Sequence, residues 1–509
     1  MKIKLLCKTP KTITFQIINE NCFYLDEETE IYVNGEKELV TSKNINTIYN
    51  LIPDKEYIIF VKNSEGESNK LKVKTEFAAF ILDIREFGAV GDGKTVNTFA
   101  IQTAILSAPE NSIIEIRDGN YLTGPVLLKS NITINIAGNA RLTALKEREM
   151  YPILPASINK ADRTFYLGSW EGEPAACFAS LFTGVSVNNV NITGEGTIDG
   201  NSDRETWWKD AKIKRISWRP RTIFLTDCSN INIVGINIEN SPSWTLHPVF
   251  SSNLGFFDMK IRNPKDSPNT DGIDPESCKN VSIIGVKFSV GDDCIAIKSG
   301  KGKIGREIGI PSENINIENC HMEFGHGGVV IGSEMSGGIK NVNIKNCLFE
   351  NTDRGLRIKT RRGRGGIIDG IHAENILMNR VLTPFVINEF YYCDSDGKTE
   401  YVWNKDKLEI TEETPVIKNI TFKNMVCKNS EVCAGFMYGL PERKIERVVL
   451  ENLTIDFAED PRRDIPAMMD FIDSQSRGGF YFNNIKDLEI KNLTVKNAEG
   501  EEIIRNNVE

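Results

Sequence analysis

Long apolar runs are missing from this 509-residue chain. No stretch approaches the ~20 consecutive apolar residues that a membrane-spanning helix needs, and the opening Met1–Pro10 is interrupted by Lys4 and Lys8. It therefore lacks the apolar segment of roughly 7 to 15 residues that makes a secretory leader, and the expectation is a cytoplasmic protein. Cysteine pairs at CxxC spacing are absent too. Eleven cysteines, an odd number, offer neither a disulfide framework nor a zinc site, so no metal or other cofactor is expected. Excess positive charge is lacking: 61 Lys and Arg against 70 Asp and Glu leave a net charge of -9. That excludes a general nucleic-acid surface, and a polyanionic ligand must be met by a local basic patch. Histidine is scarce, at four residues.

What is present is a soluble globular composition, 40% hydrophobic and 26% charged. The length exceeds one ordinary compact domain, although a repeat fold reaches it easily because each coil touches only its neighbours. Two domains are expected, 1–77 and 78–509. In residues 1–77, short alternating segments such as Thr12–Ile17, Glu30–Val33 and Tyr57–Val61 are separated by polar turns, the pattern of a small β-sandwich. Leu51-Ile52-Pro53-Asp54-Lys55-Glu56-Tyr57 resembles the Leu-x-Pro-x-x-x-Tyr corner of fibronectin type III modules.

From Phe87 the text changes. Phe87-Gly88-Ala89-Val90-Gly91-Asp92-Gly93 lacks the spacing of a phosphate loop; the glycine turn and the amphipathic run Ala100–Leu106 predict a helix that caps the open end of a strand stack. Repeats follow, each opened by Asn and alternating apolar residues: Asn189-Val190-Asn191-Ile192, Asn230-Ile231-Asn232-Ile233, Asn280-Val281-Ser282-Ile283, Asn314-Ile315-Asn316-Ile317, Asn341-Val342-Asn343-Ile344 and Asn419-Ile420-Thr421-Phe422. Steps from 230 through 253, 280, 314 and 341 to 370 are 23, 27, 34, 27 and 29 residues, a solenoid period. Period-two alternation with no helical stripe makes the units strands, and a parallel β-helix fits. Cys228, Cys278, Cys320 and Cys347 recur beside these strands, as an interior column would. Insertions are expected at 161–221, rich in Trp and Arg, and at 384–414, which holds Tyr391, Tyr392, Tyr401 and Trp403.

The chemistry concentrates between Asn269 and Lys359. Asn269-Thr270-Asp271-Gly272-Ile273-Asp274, Gly291-Asp292-Asp293, Gly325-His326-Gly327 and Arg357-Ile358-Lys359 recur at one-coil intervals. Counted from each coil's opening mark, Asp271, Asp292, His326 and Arg357 are expected at one rung position. His247, with Trp244 nearby, shares that phase one coil earlier. Crowded carboxylates raise the pKa of at least one member, giving a proton donor beside a base, which suits glycoside hydrolysis. Each motif alone is more simply a turn or a solvated edge; in matched phase they form a site. Six cations in eleven residues, Arg354, Arg357, Lys359, Arg361, Arg362 and Arg364, form the expected patch for a polyanionic sugar. His321 and His372 have no partner in phase and are read as structural.

With those motifs in that order, the chain resembles glycoside hydrolase family 28, the polygalacturonase family, over about residues 80–500; Phe-Gly-Ala-x-Gly-Asp-Gly resembles the family's opening. The resemblance implies a mainly β fold, a right-handed parallel β-helix beside the N-terminal sandwich. It implies Asp292 as general acid, Asp271 and Asp293 as the pair that holds and deprotonates the attacking water with inversion, and His326 as the residue tuning the acid. It also implies Arg357 and Lys359 as the galacturonate clamp, Asn269 within the motif at the substrate, and a tyrosine at Tyr391 or Tyr392. The expected partners are polygalacturonate or oligogalacturonides, with no nucleic acid and no membrane. Because both insertions can fold over a groove, exo attack releasing mono- or digalacturonate is expected. The rivals are an endo-polygalacturonase or rhamnogalacturonan hydrolase, a calcium-dependent pectate lyase and a non-catalytic β-helix.

Overall fold

Asparagine opens the repeats because the backbone there turns left-handed. In the computed structural model, which describes residues 1–160 and 163–509, Asn189, Asn230, Asn253, Asn280, Asn314, Asn341 and Asn419 all have φ between 54° and 57°. Apart from glycine, only Asn and Asp visit that region readily. The side chains then form a ladder up the stack: Asn230 donates to Asn189 (3.1 Å), Asn253 to Asn230 (3.1 Å), Asn280 to Asn253 (3.0 Å), Asn314 to Asn280 (3.1 Å) and Asn341 to Asn314 (3.2 Å). Where the repeat reads Gly370, φ is 75° and the amide is lost, so Asn419 donates to Asp369 instead, at 2.7 Å.

Between these turns the chain lays parallel strands on three faces. The first face begins with Ile81–Asp83 and Ser112–Ile116, continues through Asn188–Gly194, Ser229–Val234 and Lys279–Ile284, and ends in Leu488–Lys496. A second face starts at Asp92–Val96 and Gly119–Thr123. The third holds Phe182–Val185, Ile223–Thr226, Leu246–Val249, Asp293–Ile297, the end of His321–Gly332, Thr352–Lys359, Thr383–Asn388, Cys433–Tyr438 and Gly478–Ile485, bridged across the Asn269 coil by Ile273 and Glu276. Inward side chains stack into one continuous apolar column, for example Ile233, Ile283, Ile295, Val329 and Leu356. Helix Thr98–Ser107 buries Ala100, Ile101, Ala104 and Ile105 in the first coils. No helix among the described residues is long and apolar enough to cross a membrane.

Two details of the repeat differ from expectation. The cysteines form two columns: Cys228 and Cys278 alternate with Ser251 and Ser312 ahead of the Asn strands, whereas Cys320 and Cys347 align after them. All eleven are free thiols. The stretch 161–221 is not one insertion, because Phe182–Val185, Asn188–Gly194 and Thr197–Asp199 within it are coil strands; loops precede and follow them, and Ala161 and Asp162 lie outside the described residues. The second insertion starts at Glu389, since Pro384 sits in a third-face strand.

Before Ile81 the strands pair antiparallel in two sheets, Lys2–Lys8, Ile13–Ile18 and Ile45–Ile48 in one, and Glu36–Lys43, Tyr24–Val33, Glu56–Asn63, Gly66–Glu67 and Leu71–Lys74 in the other. Ile13, Phe15, Ile31, Ile59 and Val61 form their own core. The Tyr57 hydroxyl accepts from the Ile52 amide at 2.9 Å, fastening the Leu51–Tyr57 corner. This segment lies against the coils: Gln16 donates to Glu318 (2.8 Å), Asn44 to Asn319 (2.7 Å), and Ile45 packs with Val234, Phe257 and Ile284. His321 is part of that seam, 2.7 Å from Glu350 and 3.3 Å from the Tyr24 hydroxyl.

The ladder predicts a graded response. Asn280→Ala loses two amide bonds, each worth about 0.5–1.5 kcal/mol, and must hold alanine left-handed at a cost of roughly 1–2 kcal/mol. Asn280→Gly loses only the bonds. Thermal unfolding should place alanine lowest and glycine between it and the wild type; equal midpoints for the two variants would show that the dihedral contributes nothing.

Candidate active site

Strand register on the third face decides what meets what. Asp293 lies opposite Gly327 and Arg354, Ala296 opposite Val330 and Arg357, and Ile273 opposite Ile295. Asp271 therefore shares a rung with Asp293, and Asp292 with His326, whose amide donates to the Asp292 carbonyl at 2.9 Å. Arg357 sits three residues further along the strand, not on the acids' rung as the spacing suggests. The offset places the clamp beside the acids rather than on top of them. Because alternate residues face outward, Arg357 and Lys359 both reach the surface while Ile358 enters the core.

These residues line a groove of ≈ 510 Å³ together with Trp244, Asn269, Lys298, Glu334, Arg354, Tyr391 and Met468. Asp271, Asp292 and Asp293 each bring a carboxylate oxygen within 4.8 Å of the others. Asp271 is 3% exposed and Asp293 0%, whereas the Asp292 side chain is 25% exposed. Asp292 is the carboxyl at the groove surface; the other two lie beneath it. Lys359 donates to Asp293 Oδ2 at 2.7 Å, and Arg357 Nη1 stands 3.7 Å from Oδ1. Three such oxygens suffice to hold a cation, but Lys359, Arg357 and the buried Lys298 already supply positive charge there.

The proton distribution follows from these contacts. Burial pushes the Asp271 carboxyl well above the usual carboxylate range, and the neighbouring charges of Asp274, Asp292 and Asp293 push the same way. Asp274, fully buried with neither oxygen hydrogen-bonded, is raised for the same reason. For Asp292, burial alone acts upward, but the hydrogen bond and charge of His326, with Lys359 and Lys298 behind, outweigh it and hold the carboxyl at about 2. His326 Nδ1 is 3.4 Å from Asp292 Oδ1, and that partnership raises the imidazole to about 9. The contacts thus push Asp271 and His326 up and Asp292 down.

The remaining cations divide by burial. Arg357 makes no hydrogen bond to any described residue, and its guanidinium and the Lys359 ammonium lie 5.5 and 5.3 Å from the Tyr391 ring centre. Arg361, Arg362 and Arg364 are not part of the expected patch, since they do not line the groove and their guanidinium groups bond elsewhere. Arg361 donates to Cys393 O and Asp396, Arg362 to Glu442, Tyr401 O, Asn404 O and Asp406 O, so they staple the 389–414 loop to the coils. Lys301 joins this loop to the one around Gly172: its amide donates to Gly172 O at 3.0 Å and its ammonium to Asp394 at 2.8 Å. The residues next to this tie, Glu171 and Cys393, line the groove.

Among the expected site residues, Tyr391 rather than Tyr392 lines the groove. Asn269 is there with φ 53°, its side-chain oxygen accepting from Arg219 at 2.7 Å. Trp244 lines it and packs edge-on to His247, ring centres 4.8 Å apart. His247 itself is not on the wall. Its rung is that of Asp274, it is 0% exposed, its Nε2 is 2.8 Å from Glu276, and burial lowers it to about 4. Lys298 and Glu334, paired at 3.1 Å, went unread. Alternation past Ile295 and Ile297 would have turned Lys298 outward; Glu334 lies in a turn with no periodic signal.

The model of the family described as Glycosyl hydrolases family 28 matches residues 107–456. An endo-polygalacturonase from Pectobacterium carotovorum subsp. carotovorum is 33% identical over 374 residues, 70% of this chain and 84% of the relative. The crystal structure of a hyperthermoactive exopolygalacturonase from Thermotoga maritima superposes with a TM-score of 0.65 at 30% identity, covering 74% of this chain and 87% of that one. The family 28 exopolygalacturonase of Yersinia enterocolitica shares the fold across 100% of this chain and 98% of its own, with a TM-score of 0.73 at 20% identity. The three-faced β-helix, the matched profile and these relatives establish that the chain belongs to glycosyl hydrolase family 28 and is a glycosidase.

Proposed function

We propose that the protein is an exo-acting, inverting polygalacturonase that removes mono- or digalacturonate from the ends of polygalacturonate and oligogalacturonides. The observation that carries the substrate class is Arg357: a guanidinium with no hydrogen bond to any described residue, beside Lys359 and against Tyr391, on a groove that also holds the acids. Such a fork suits a planar carboxylate. The two antiparallel sheets before Ile81, with the Tyr57–Ile52 corner, support reading residues 1–77 as a fibronectin type III-like module.

The reading of Asp292 as acid rests on position before pKa. Asp292 is the carboxyl that a glycosidic oxygen reaches, and its low affinity for a proton belongs to the free groove. A galacturonate carboxylate on Arg357 and Lys359 neutralises charge that holds Asp292 down, and the bound sugar strips water from it. Both changes raise its pKa, and the proton carried by His326 passes to it and on to the leaving oxygen. Water works beneath, between Asp271 and Asp293, which share its proton. Enzymes with two catalytic carboxylates retain configuration when the pair is close and invert when it is farther apart, and this trio is compact. The reading of inversion rests on depth: Asp271 and Asp293 are more buried than Asp292, which favours a water held above them, rather than either carboxylate, as the nucleophile.

Exo attack is supported by the Lys301 bridge, which ties the two loops beside the groove. An open-ended groove passes a chain through; a bridged one receives a terminus.

Three measurements test the reading. Asp292→Asn and Asp271→Asn should each cut kcat on polygalacturonate by a factor on the order of 10² to 10⁴ with an unchanged fold by circular dichroism; a mild Asp271 effect would leave Asp293 as sole base. The kcat/KM profile should fall as pH rises through about 9, where His326 loses its proton, and His326→Gln should move that limb to lower pH. Product analysis should give one small sugar from the first turnover, with slow thinning of polygalacturonate and the β-anomer in early proton NMR spectra. A ladder of oligomers with steep viscosity loss would mean internal cleavage, and an α-anomer would mean retention.

A further inference from the structure

A second cavity lies further along the same face, and the catalytic reading makes no use of it. It encloses ≈ 500 Å³ over the outward side of Cys433–Tyr438 and Gly478–Ile485. Register fixes its position: Lys359 lies opposite Asn388, which lies opposite Tyr438, so Tyr438 is two strand spacings, roughly 10 Å, beyond the clamp. Asn388 donates to Met468 O at 2.9 Å, and the loop carrying Met468 separates the two spaces.

Its floor is aromatic. Phe436 meets Tyr438 at 5.8 Å and 33° and Tyr481 at 6.2 Å and 42°; Phe436 itself is buried in the cluster beneath, so the two half-buried tyrosine rings flank a trough with Phe436 under it. Burial raises both tyrosine hydroxyls, and neither is hydrogen-bonded to a described residue. Asn483 stands at the trough's end with the side-chain amide likewise free of such a bond. At the mouth, Phe471 is 78% exposed with φ 59°. A bulky residue held left-handed costs about 1–3 kcal/mol and is found where a function repays it. Here that strain holds the ring at the mouth, exposed to solvent and edge-on to Trp403 with ring centres 5.3 Å apart.

Aromatic faces beside unfilled hydroxyl and amide groups are what a sugar ring needs, since its C–H face covers an aromatic ring and its hydroxyls exchange hydrogen bonds at the edge. Charge narrows the class: Arg463, Asp473 and Glu499 all line the cavity, one cation against two anions, so the lining is net acidic and repels a uronate carboxylate. We infer that this cavity is a second carbohydrate site, distinct from the catalytic groove, that takes neutral sugar units of an oligosaccharide rather than galacturonate.

The test uses full-length Asp292→Asn protein and three probes: β-1,4-galactotetraose, α-1,5-arabinotetraose and trigalacturonate, followed by saturation-transfer NMR and calorimetry. At least one neutral probe should bind, unaffected by saturating trigalacturonate. Phe471→Ala, at an exposed position that folding does not need, should weaken it about tenfold, and Tyr481→Ala should abolish it. In the otherwise native enzyme Phe471→Ala should leave kcat on trigalacturonate unchanged. Failure of both neutral probes to bind at 10 mM, about the weakest affinity worth calling a site, overturns the inference, as does displacement by trigalacturonate or full affinity in the Phe471→Ala protein.

Discussion

Everything in the acidic groove depends on strands staying in register from coil to coil. A parallel pair is evenly bonded and tolerates slippage unless something pins it. The left-handed Asn turns do the pinning, each amide reaching the one below at 3.0–3.2 Å through the catalytic coils. The side chains of Asp271, Asp292, His326 and Lys359 come from four coils, so a slip of one residue would turn the acids into the core. The ladder breaks at Gly370, after the last of them, and the long 389–414 loop follows.

The second constraint is charge. Stripping water from three carboxylates, two lysines and an arginine is expensive, and burial repays it only where each ion finds an opposite one. Asp293 finds Lys359, Lys298 finds Glu334, and Asp292 finds His326. Asp271 and Asp274 find no cation in bonding contact, and burial pushes both carboxyls well above the usual carboxylate range. The same economy explains the arginine run. Arg362, 1% exposed against a fully buried Glu442, satisfies three loop carbonyls besides. It holds the wall from which Tyr391 meets the clamp. The cations that look most like a sugar-binding patch in sequence are mostly internal ties, and the two that face the groove are those at alternate positions of one strand.

A third feature is the N-terminal segment, which fills a side of the coils away from the groove. Ile45 enters an apolar patch of Val234, Phe257 and Ile284, and Gln16, Tyr24 and Asn44 reach the turns at Glu318, His321 and Asn319. These contacts give His321 a partner that a search for catalytic phase does not find. The packing supplies a lateral brace to the coils that carry Asp271 and Asp292.

What the sequence by itself determined is what repeats. Asn at a left-handed turn and period-two apolar residues are local properties, set by dihedral sterics and by which face is buried. They were enough for the β-helix, for the order of the coils and for the acids, His326 and the Arg357–Lys359 alternation. What only the tertiary structure decided is what depends on turn length and on contacts between distant loops. Counting residues put Arg357 on the acids' rung and His247 in the groove, because coils of 23 to 34 residues hide how many belong to the turns. Which groups are pushed up, Asp271 and His326, and which down, Asp292, could not be read from motifs, since a pKa depends on burial and on charges brought from other coils. The bridge at Lys301 joins residues 172 and 394; only folding makes them neighbours.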